Sequence, residues 1–144
     1  MGKKMLLFIW MGAILLMTSV SIPRGNVTHY SNLFEWQSEP DMSEFIDPMP
    51  ALTEEFVIRK VGHILVFFLL SVLFVIAYHS IWNAFFISFL FGFLTEFVQL
   101  FFNRGGRLFD VWIDGIGVVI GVVCSFLMIQ ILEMVKTVRK SLNG

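Results

Sequence analysis

The stretch FGFLTEFVQLFFNRGGRLFDVWIDGIG, Phe91–Gly117, places ionisable residues inside and directly after a long apolar run. Glu96 is flanked on both sides by phenylalanine, leucine and valine. An ionisable side chain in hydrocarbon is costly, so it usually faces the interior of a helix bundle and has a partner there. We therefore predict a helix hairpin folded at Asn103–Arg107, with Glu96 on one arm and Asp110 and Asp114 on the other.

The composition favours a membrane protein. The chain has 144 residues, of which 57% are hydrophobic and 15% charged, and its mean hydropathy is +0.81. A soluble domain carries about 25% charged residues. The net charge of -1 and the lack of a basic stretch interleaved with aromatics argue against nucleic-acid binding. The length is that of a single domain, 1–144.

Four apolar segments are long enough to cross a bilayer, whose core of about 30 Å needs roughly 20 helical residues. The predicted fold is an all-α, polytopic membrane protein with one polar extracytoplasmic loop. Thr53 followed by two glutamates is a typical helix start, so the second helix is predicted to begin outside the bilayer. The predicted spans are residues 5–22, 61–78, 81–102 and 111–132, and the loop covers residues 23–60.

The first segment has a second interpretation. Lys3 and Lys4, the apolar run and Ser19-Val20-Ser21 resemble a cleavable signal peptide covering residues 1–21. The run is long for that role, which favours an uncleaved anchor. Cytoplasmic flanks of membrane helices usually carry more lysine and arginine, but here the count is five on each side. The first helix usually dominates the orientation, and it is preceded by Lys3 and Lys4, so we predict both termini in the cytoplasm. The inner cations are Lys3, Lys4, Lys136, Arg139 and Lys140, and the outer ones are Arg24, Arg59, Lys60, Arg104 and Arg107.

Three helices carry polar residues on one face at the same predicted outer level. Residues spaced by three, four or seven share a helix face, and small residues such as glycine let two membrane helices approach closely. We therefore expect these faces to converge. They consist of Lys60, His63 and Phe67 on the second helix, Glu96, Gln99 and Asn103 on the third, and Asp110, Asp114, Gly117 and Gly121 on the fourth.

The expected ion pairs are Glu96 with Lys60 or Arg107, and Asp110 with Arg104 or Arg107. A guanidinium can hold two carboxylate oxygens at once. Each residue alone also has a plainer explanation, because charges at helix ends often snorkel or cap, and His63 is compatible with an ordinary interior histidine. His63, Glu96 and Asp110 are competent metal ligands, but their spacing is not diagnostic. No metal and no cofactor is predicted.

The sequences RKVGH and GFLTEFVQLFFNRGGRLFDVWIDGIGVVIG resemble the VanZ-like integral membrane proteins. The resemblance rests on Lys60-x-x-His63, Glu96-x-x-Gln99 and Arg107-x-x-Asp110, followed by Gly117 and Gly121, and it extends over residues 5–132. Two positions depart from the family pattern. Asp114 stands where the family generally has Asn, and Phe67 where it often has Tyr.

The resemblance implies a multi-pass protein of the bacterial cytoplasmic membrane with a role in resistance to the glycopeptide teicoplanin. Three hypotheses follow. The polar site could bind a lipid-linked cell-wall precursor or a lipoglycopeptide in the outer leaflet without catalysis. It could belong to an intramembrane enzyme acting on a lipid phosphate, although no serine or cysteine nucleophile motif accompanies the histidine. It could also be purely structural, with the outer loop binding a partner protein. Whether catalysis occurs stays open.

Overall fold

The computed structural model describes residues 2–19, 36–46, 53–102 and 105–143. Within these ranges the chain is helical and contains no strand. All helices except the short α2 are long and apolar enough to cross a membrane, which confirms the predicted all-α fold with four spans. The helices are α1 (Gly2–Ser19), α2 (Ser43–Ile46), α3 (Glu54–Tyr78), α4 (Ile81–Phe101) and α5 (Leu108–Leu142).

The ends of α3 are set by local side-chain and backbone chemistry. The Phe56 N–H donates to Thr53 Oγ1 at 3.2 Å, so α3 begins before its apolar run, as the Thr-Glu-Glu sequence suggests. At its other end His79 adopts a left-handed conformation with φ 53° and donates its N–H to the Val75 carbonyl. Ser80 then caps α4 with its hydroxyl. This short connection folds α3 and α4 into a tight hairpin.

The helix α5 extends beyond the predicted segment 111–132 in both directions. It starts at Leu108, which places Asp110 in its first turn, where a negative charge interacts favourably with the helix dipole. It continues past the apolar run because the following residues still favour a helix, and Lys136 pairs with Glu133 at 2.8 Å one turn away. The predicted end of the first span, at Ile22, lies outside the described residues, as do 23–35 and 47–52 of the loop.

The contacts between helices define their directions. Lys60 meets Asp110, and the backbone of Phe68 lies against Gly121, so α3 and α5 run in the same direction. The helix α1 runs opposite to α3. Lys4 near its start lies over the ring of Tyr78 at the end of α3, whereas Trp10 near its middle donates its indole N–H to the Val66 carbonyl at 3.3 Å.

The core lies between α1, α3, α4 and α5, and its members include Leu7, Ile14, Phe67, Leu70, Phe91 and Val118. Many large apolar side chains point outward instead, such as Phe8, Leu65, Phe86 and Ile120. In water such a surface would aggregate. In a bilayer it is the ordinary lipid-facing surface of a helix bundle, since the helix satisfies its own backbone hydrogen bonds. The protein is therefore embedded in a lipid bilayer.

The described part of the polar loop, residues 36–46, packs on the C-terminal end of α4. The Gln37 backbone N–H donates to the Phe101 carbonyl at 2.9 Å, and its side-chain amide donates to the Leu100 carbonyl at 2.6 Å. Trp36 stacks on Phe101 with ring centroids 5.3 Å apart. These contacts satisfy two of the carbonyls that a helix end leaves without intrahelical partners. The loop segment therefore covers the end of the helix that carries Glu96.

Candidate functional site: a buried polar cluster

The outer part of the site is an ion pair between α3 and α5. Lys60 Nζ lies 2.6 Å from Asp110 Oδ2, and both side chains are largely buried, with 14% and 11% of their surface exposed. The Lys60 ammonium also lies 5.1 Å from the centre of the Phe56 ring. A buried pair of this kind is costly to break, because removal of one partner leaves the other charge uncompensated.

One helical turn deeper, a histidine meets two carboxylates. His63 Nδ1 lies 2.9 Å from Asp114 Oδ1 and 3.8 Å from Glu96 Oε1. The three side chains come from α3, α5 and α4, and Glu96 and Asp114 are 0% and 1% exposed. Because α3 and α5 run in the same direction, the step from Lys60 to His63 and the step from Asp110 to Asp114 each advance about one helical turn along the interface. The two pairs therefore form successive layers across one interface.

The Glu96 carboxylate is held by two neutral donors. Gln99, one turn further along α4, donates its side-chain amide to Oε1 at 3.1 Å. The backbone N–H of Arg107 donates to Oε2 at 3.2 Å. That approach depends on Gly106, since a Cβ there would collide with the Glu96 carbonyl. The preceding Gly105 has φ 61°, a conformation that suits glycine. The two glycines thus bring the start of α5 onto the buried glutamate.

Two further glycines bring α3 and α5 close together beneath the cluster. A Cβ at Gly117 would clash with the Ile64 carbonyl, and one at Gly121 would lie 2.6 Å from the Phe68 carbonyl oxygen and against the Ser71 hydroxyl. Gly117 and Gly121 are both buried on the face that carries Asp110 and Asp114. This is the close approach expected of a face of small residues, and it keeps the polar layers in register.

We call Lys60, His63, Glu96, Gln99, Asp110 and Asp114 the polar cluster. It contains three carboxyl groups against one ammonium and one imidazole. Among the described residues, Asp110 Oδ1 and Asp114 Oδ2 are buried without a hydrogen-bond partner. Buried polar atoms usually have partners, and one left unsatisfied costs about 1–3 kcal/mol. The cluster is therefore rich in acceptors and has unused capacity for a cation or a hydrogen-bond donor.

A groove of about 220 Å³ between α1, α3 and α4 leads to this cluster. His63 and Gln99 line it from the cluster side, and Arg59 lines it as an exposed cation. The rest of its wall is mainly apolar and comprises Ile14, Met17, Thr18, Gly62, Val66 and Phe67. An apolar groove with a few convergent polar groups is the usual form of a small-molecule site.

The ion pairs in the structure differ from those expected from the sequence. Lys60 pairs with Asp110 rather than with Glu96, because Lys60 and Asp110 occupy the same layer and Glu96 lies deeper. Arg107 contacts Glu96 through its backbone N–H, and its guanidinium Nε is buried without a hydrogen-bond partner in the described part of the chain. Arg104 and Asn103 lie outside the described residues.

The metal ligands considered from the sequence also change. Asp114, and not Asp110, lies with His63 and Glu96, so that one donor atom from each falls within 4.8 Å of the others. Sequence reasoning missed two contributors to the site. Arg59 was counted only as an outer cation, although its position next to Lys60 could have signalled a second basic residue at the site. Gly106, in the pair of glycines between the two arginines, was visible as a turn signal but not as a contact to Glu96.

The fold and the cluster together define a polytopic helical membrane protein with a buried polar site shared by three helices. The family model for VanZ/LLP1 matches residues 4–129, and the chain belongs to this VanZ-like family. A relative from Bacillus subtilis (strain 168), the uncharacterized membrane protein YwnJ, is 38% identical over 118 residues, which cover 81% of this chain and 84% of that protein. No solved structure matches the chain.

Proposed function

We propose that the protein binds an amphipathic ligand of the outer leaflet in the groove between α1, α3 and α4, and that this binding lowers susceptibility to teicoplanin. The observation that carries the proposal is the position of Arg59, His63 and Gln99 on the wall of an otherwise mainly apolar groove. Acyl or prenyl chains suit the apolar wall, and the polar groups suit a head group with phosphate or carboxylate oxygens.

Arg59 is the cation best placed to meet such a head group. Lys60 is already committed to Asp110 at 2.6 Å, whereas Arg59 is exposed and lines the groove. A guanidinium binds phosphate and carboxylate oxygens with two parallel hydrogen bonds. A lipid-linked cell-wall precursor or a lipoglycopeptide has both parts that the groove requires, namely a lipid chain and an anionic or polar head.

The proposal assumes a bacterial cytoplasmic membrane with both termini inside, so that the groove and the cluster open toward the outer leaflet. The teicoplanin role comes from the family resemblance, and the groove offers a physical route to it. A protein that sequesters or shields a lipid-linked precursor reduces the amount available to the antibiotic at the outer surface.

The genetic test compares a deletion strain with strains that express wild-type protein or Glu96→Gln. Glutamine keeps the size of the side chain but removes the carboxylate that Gln99 and the Arg107 backbone hold. The expected result is higher teicoplanin sensitivity in both the deletion and the Glu96→Gln strain, at equal protein level in the membrane. Arg139→Gln, in the exposed last turn of α5, is the matched control and should behave as wild type. Wild-type sensitivity in the deletion strain would refute the resistance role.

One observation favours a second candidate, an intramembrane enzyme acting on a lipid phosphate. The His63 imidazole, which lines the groove, is held by the Asp114 carboxylate at 2.9 Å. A carboxylate that orients an imidazole is a common arrangement for a general base. In this function His63 accepts a proton from water that attacks the terminal phosphorus, the bond from that phosphorus to the bridging oxygen breaks, and polyprenyl phosphate leaves. Purified protein should then release inorganic phosphate from a polyprenyl diphosphate, and His63→Gln should abolish release. Absence of turnover by the wild type would refute the enzymatic function and leave lipid binding as the remaining candidate.

A further inference from the structure

We propose that His63, Glu96 and Asp114 together bind one divalent transition-metal ion, with zinc as the best fit. The three side chains come from three different helices, and one donor atom of each lies within 4.8 Å of the other two. Two of these separations are 2.9 Å, between His63 and Asp114, and 3.8 Å, between His63 and Glu96. The proposal goes beyond the lipid-binding function, with which it shares His63 on the groove wall.

These separations are close to those of a tetrahedral zinc site. Zinc binds imidazole nitrogen and carboxylate oxygen at about 2.0–2.2 Å, so two donors in a tetrahedral site lie about 3.3–3.6 Å apart. The 2.9 and 3.8 Å separations bracket this range, the third separation is at most 4.8 Å, and side-chain rotations would bring all three into it. Calcium is a poorer fit, because it takes roughly 6–8 oxygen ligands. Three protein donors leave one tetrahedral position for water or another oxygen donor.

The charge balance supports a divalent cation. As metal ligands, one neutral imidazole and two ionised carboxylates would carry a charge of minus two, which a divalent ion cancels. Glu96 and Asp114 are almost completely buried in the bundle, where an uncompensated charge costs several kcal/mol. Within the described ranges Lys60 is paired with Asp110 one layer further out, and Glu96 and Asp114 form ion pairs with His63 but with no lysine or arginine.

A second observation is independent of the clustering itself. Asp114 is 1% exposed, and its Oδ2 has no hydrogen-bond partner among the residues that the structure describes. A carboxylate oxygen buried in this way is rare unless it meets a cation, a donor or a bound water. In addition, Glu96 is oriented by Gln99 and the Arg107 backbone. Metal ligands commonly have outer hydrogen-bond partners of this kind, which fix their orientation.

The test uses the full chain purified in detergent, stripped with a chelator, equilibrated with Zn²⁺ and freed of excess metal. Wild-type protein should retain about one zinc per chain. The variants Asp114→Asn and His63→Gln should bind zinc at least about tenfold more weakly. The matched control is Glu133→Gln, which removes an exposed carboxylate of α5 away from the cluster and leaves the three ligands intact. It should retain zinc like the wild type.

Co²⁺ provides a measurement on the wild type that does not depend on whether any variant folds. Bound Co²⁺ should show the intense visible absorption of four-coordinate cobalt, and Zn²⁺ should remove it by competition. A wild type that retains no metal, or that shows only the weak spectrum of six-coordinate cobalt, would overturn the proposal. Equal zinc in wild type, His63→Gln and Asp114→Asn would mean an adventitious ion only and would overturn it too. Lipid binding is measured separately, through Arg59, which is not one of the three ligands.

Discussion

His63 Nδ1 and Asp114 Oδ1 lie 2.9 Å apart across the interface between α3 and α5. Directly outward from this contact, Lys60 and Asp110 form a second polar pair across the same interface. The two layers exist because α3 and α5 run in the same direction and meet at backbone distance along Gly117 and Gly121. The helix packing and the polar cluster are therefore one structural feature, and each can be tested through the other.

Removal of the outer cation should destabilise the fold, and removal of both partners should not. Lys60→Met leaves Asp110 buried without its cation, and we expect a loss of about 3 kcal/mol in the free energy of unfolding. The double variant Lys60→Met, Asp110→Leu should recover most of that loss, because an apolar pair replaces the ion pair. Unfolding in mixed detergent micelles is measured for the wild type, Lys60→Met, Asp110→Leu and the double variant. Additive losses in the double variant would show that the two residues do not interact.

Close packing of α3 against α5 predicts a position-specific effect of added methyl groups. Gly121→Ala places a Cβ against the Phe68 carbonyl and the Ser71 hydroxyl and should cost about 1–3 kcal/mol in stability. Gly12→Ala on α1 is the control, since a Cβ there meets nothing within 4 Å. It should be neutral. Thermal unfolding of the two purified variants makes the comparison, and equal midpoints would contradict the packing described for Gly121.

The predicted orientation places both termini in the cytoplasm. A C-terminal epitope tag should therefore be inaccessible to antibody or protease in intact spheroplasts and become accessible after permeabilisation. A tag inserted near Asp41, in the exposed loop segment that covers α4, should show the opposite behaviour. Cleavage of a C-terminal tag from outside intact cells would show the opposite orientation, in which the groove opens toward the inner leaflet.

The sequence was sufficient to predict the helices and the convergence of their polar faces, because both depend on local patterns. Helix periodicity placed Lys60 and His63, or Asp110 and Asp114, on one face without any knowledge of the partner helix. The pairing across helices could not be predicted in this way. Whether Lys60 meets Glu96 or Asp110 depends on the relative height of three helices, and that height is set by Gly106, Gly117 and Gly121 through contacts distant in sequence.

The extent of α5 shows a related limit. Hydropathy predicts where a helix leaves the apolar core, but it does not predict where the helix ends. Residues after Leu132 are exposed and mix charged with apolar side chains, yet they remain helical as far as Leu142, with a stabilising contact between Glu133 and Lys136. The start of α5 at Leu108 could not be predicted either. It has no side-chain cap, and the Arg107 backbone N–H before it bonds to Glu96, a contact with another helix.

An apolar replacement of the inner cluster separates a functional role from a purely structural one. A triple variant, His63→Leu, Glu96→Met and Asp114→Val, removes all charge from this layer while it approximately conserves volume. We expect the protein to fold, since apolar residues often replace buried charged groups without loss of stability. Teicoplanin sensitivity should nevertheless match that of the deletion strain. Retained fold together with wild-type resistance would favour the interpretation that the cluster only fixes helix register.

The central claim is that the groove beside the polar cluster holds an amphipathic ligand, and lipid co-purification tests it most directly. Wild-type protein, Arg59→Ala and the control Arg139→Ala would be purified from membranes in the same mild detergent and analysed by native mass spectrometry. We predict a bound anionic lipid in the wild type and in Arg139→Ala that is lost in Arg59→Ala. The same lipid content in all three proteins, or no retained lipid in the wild type, would contradict the account.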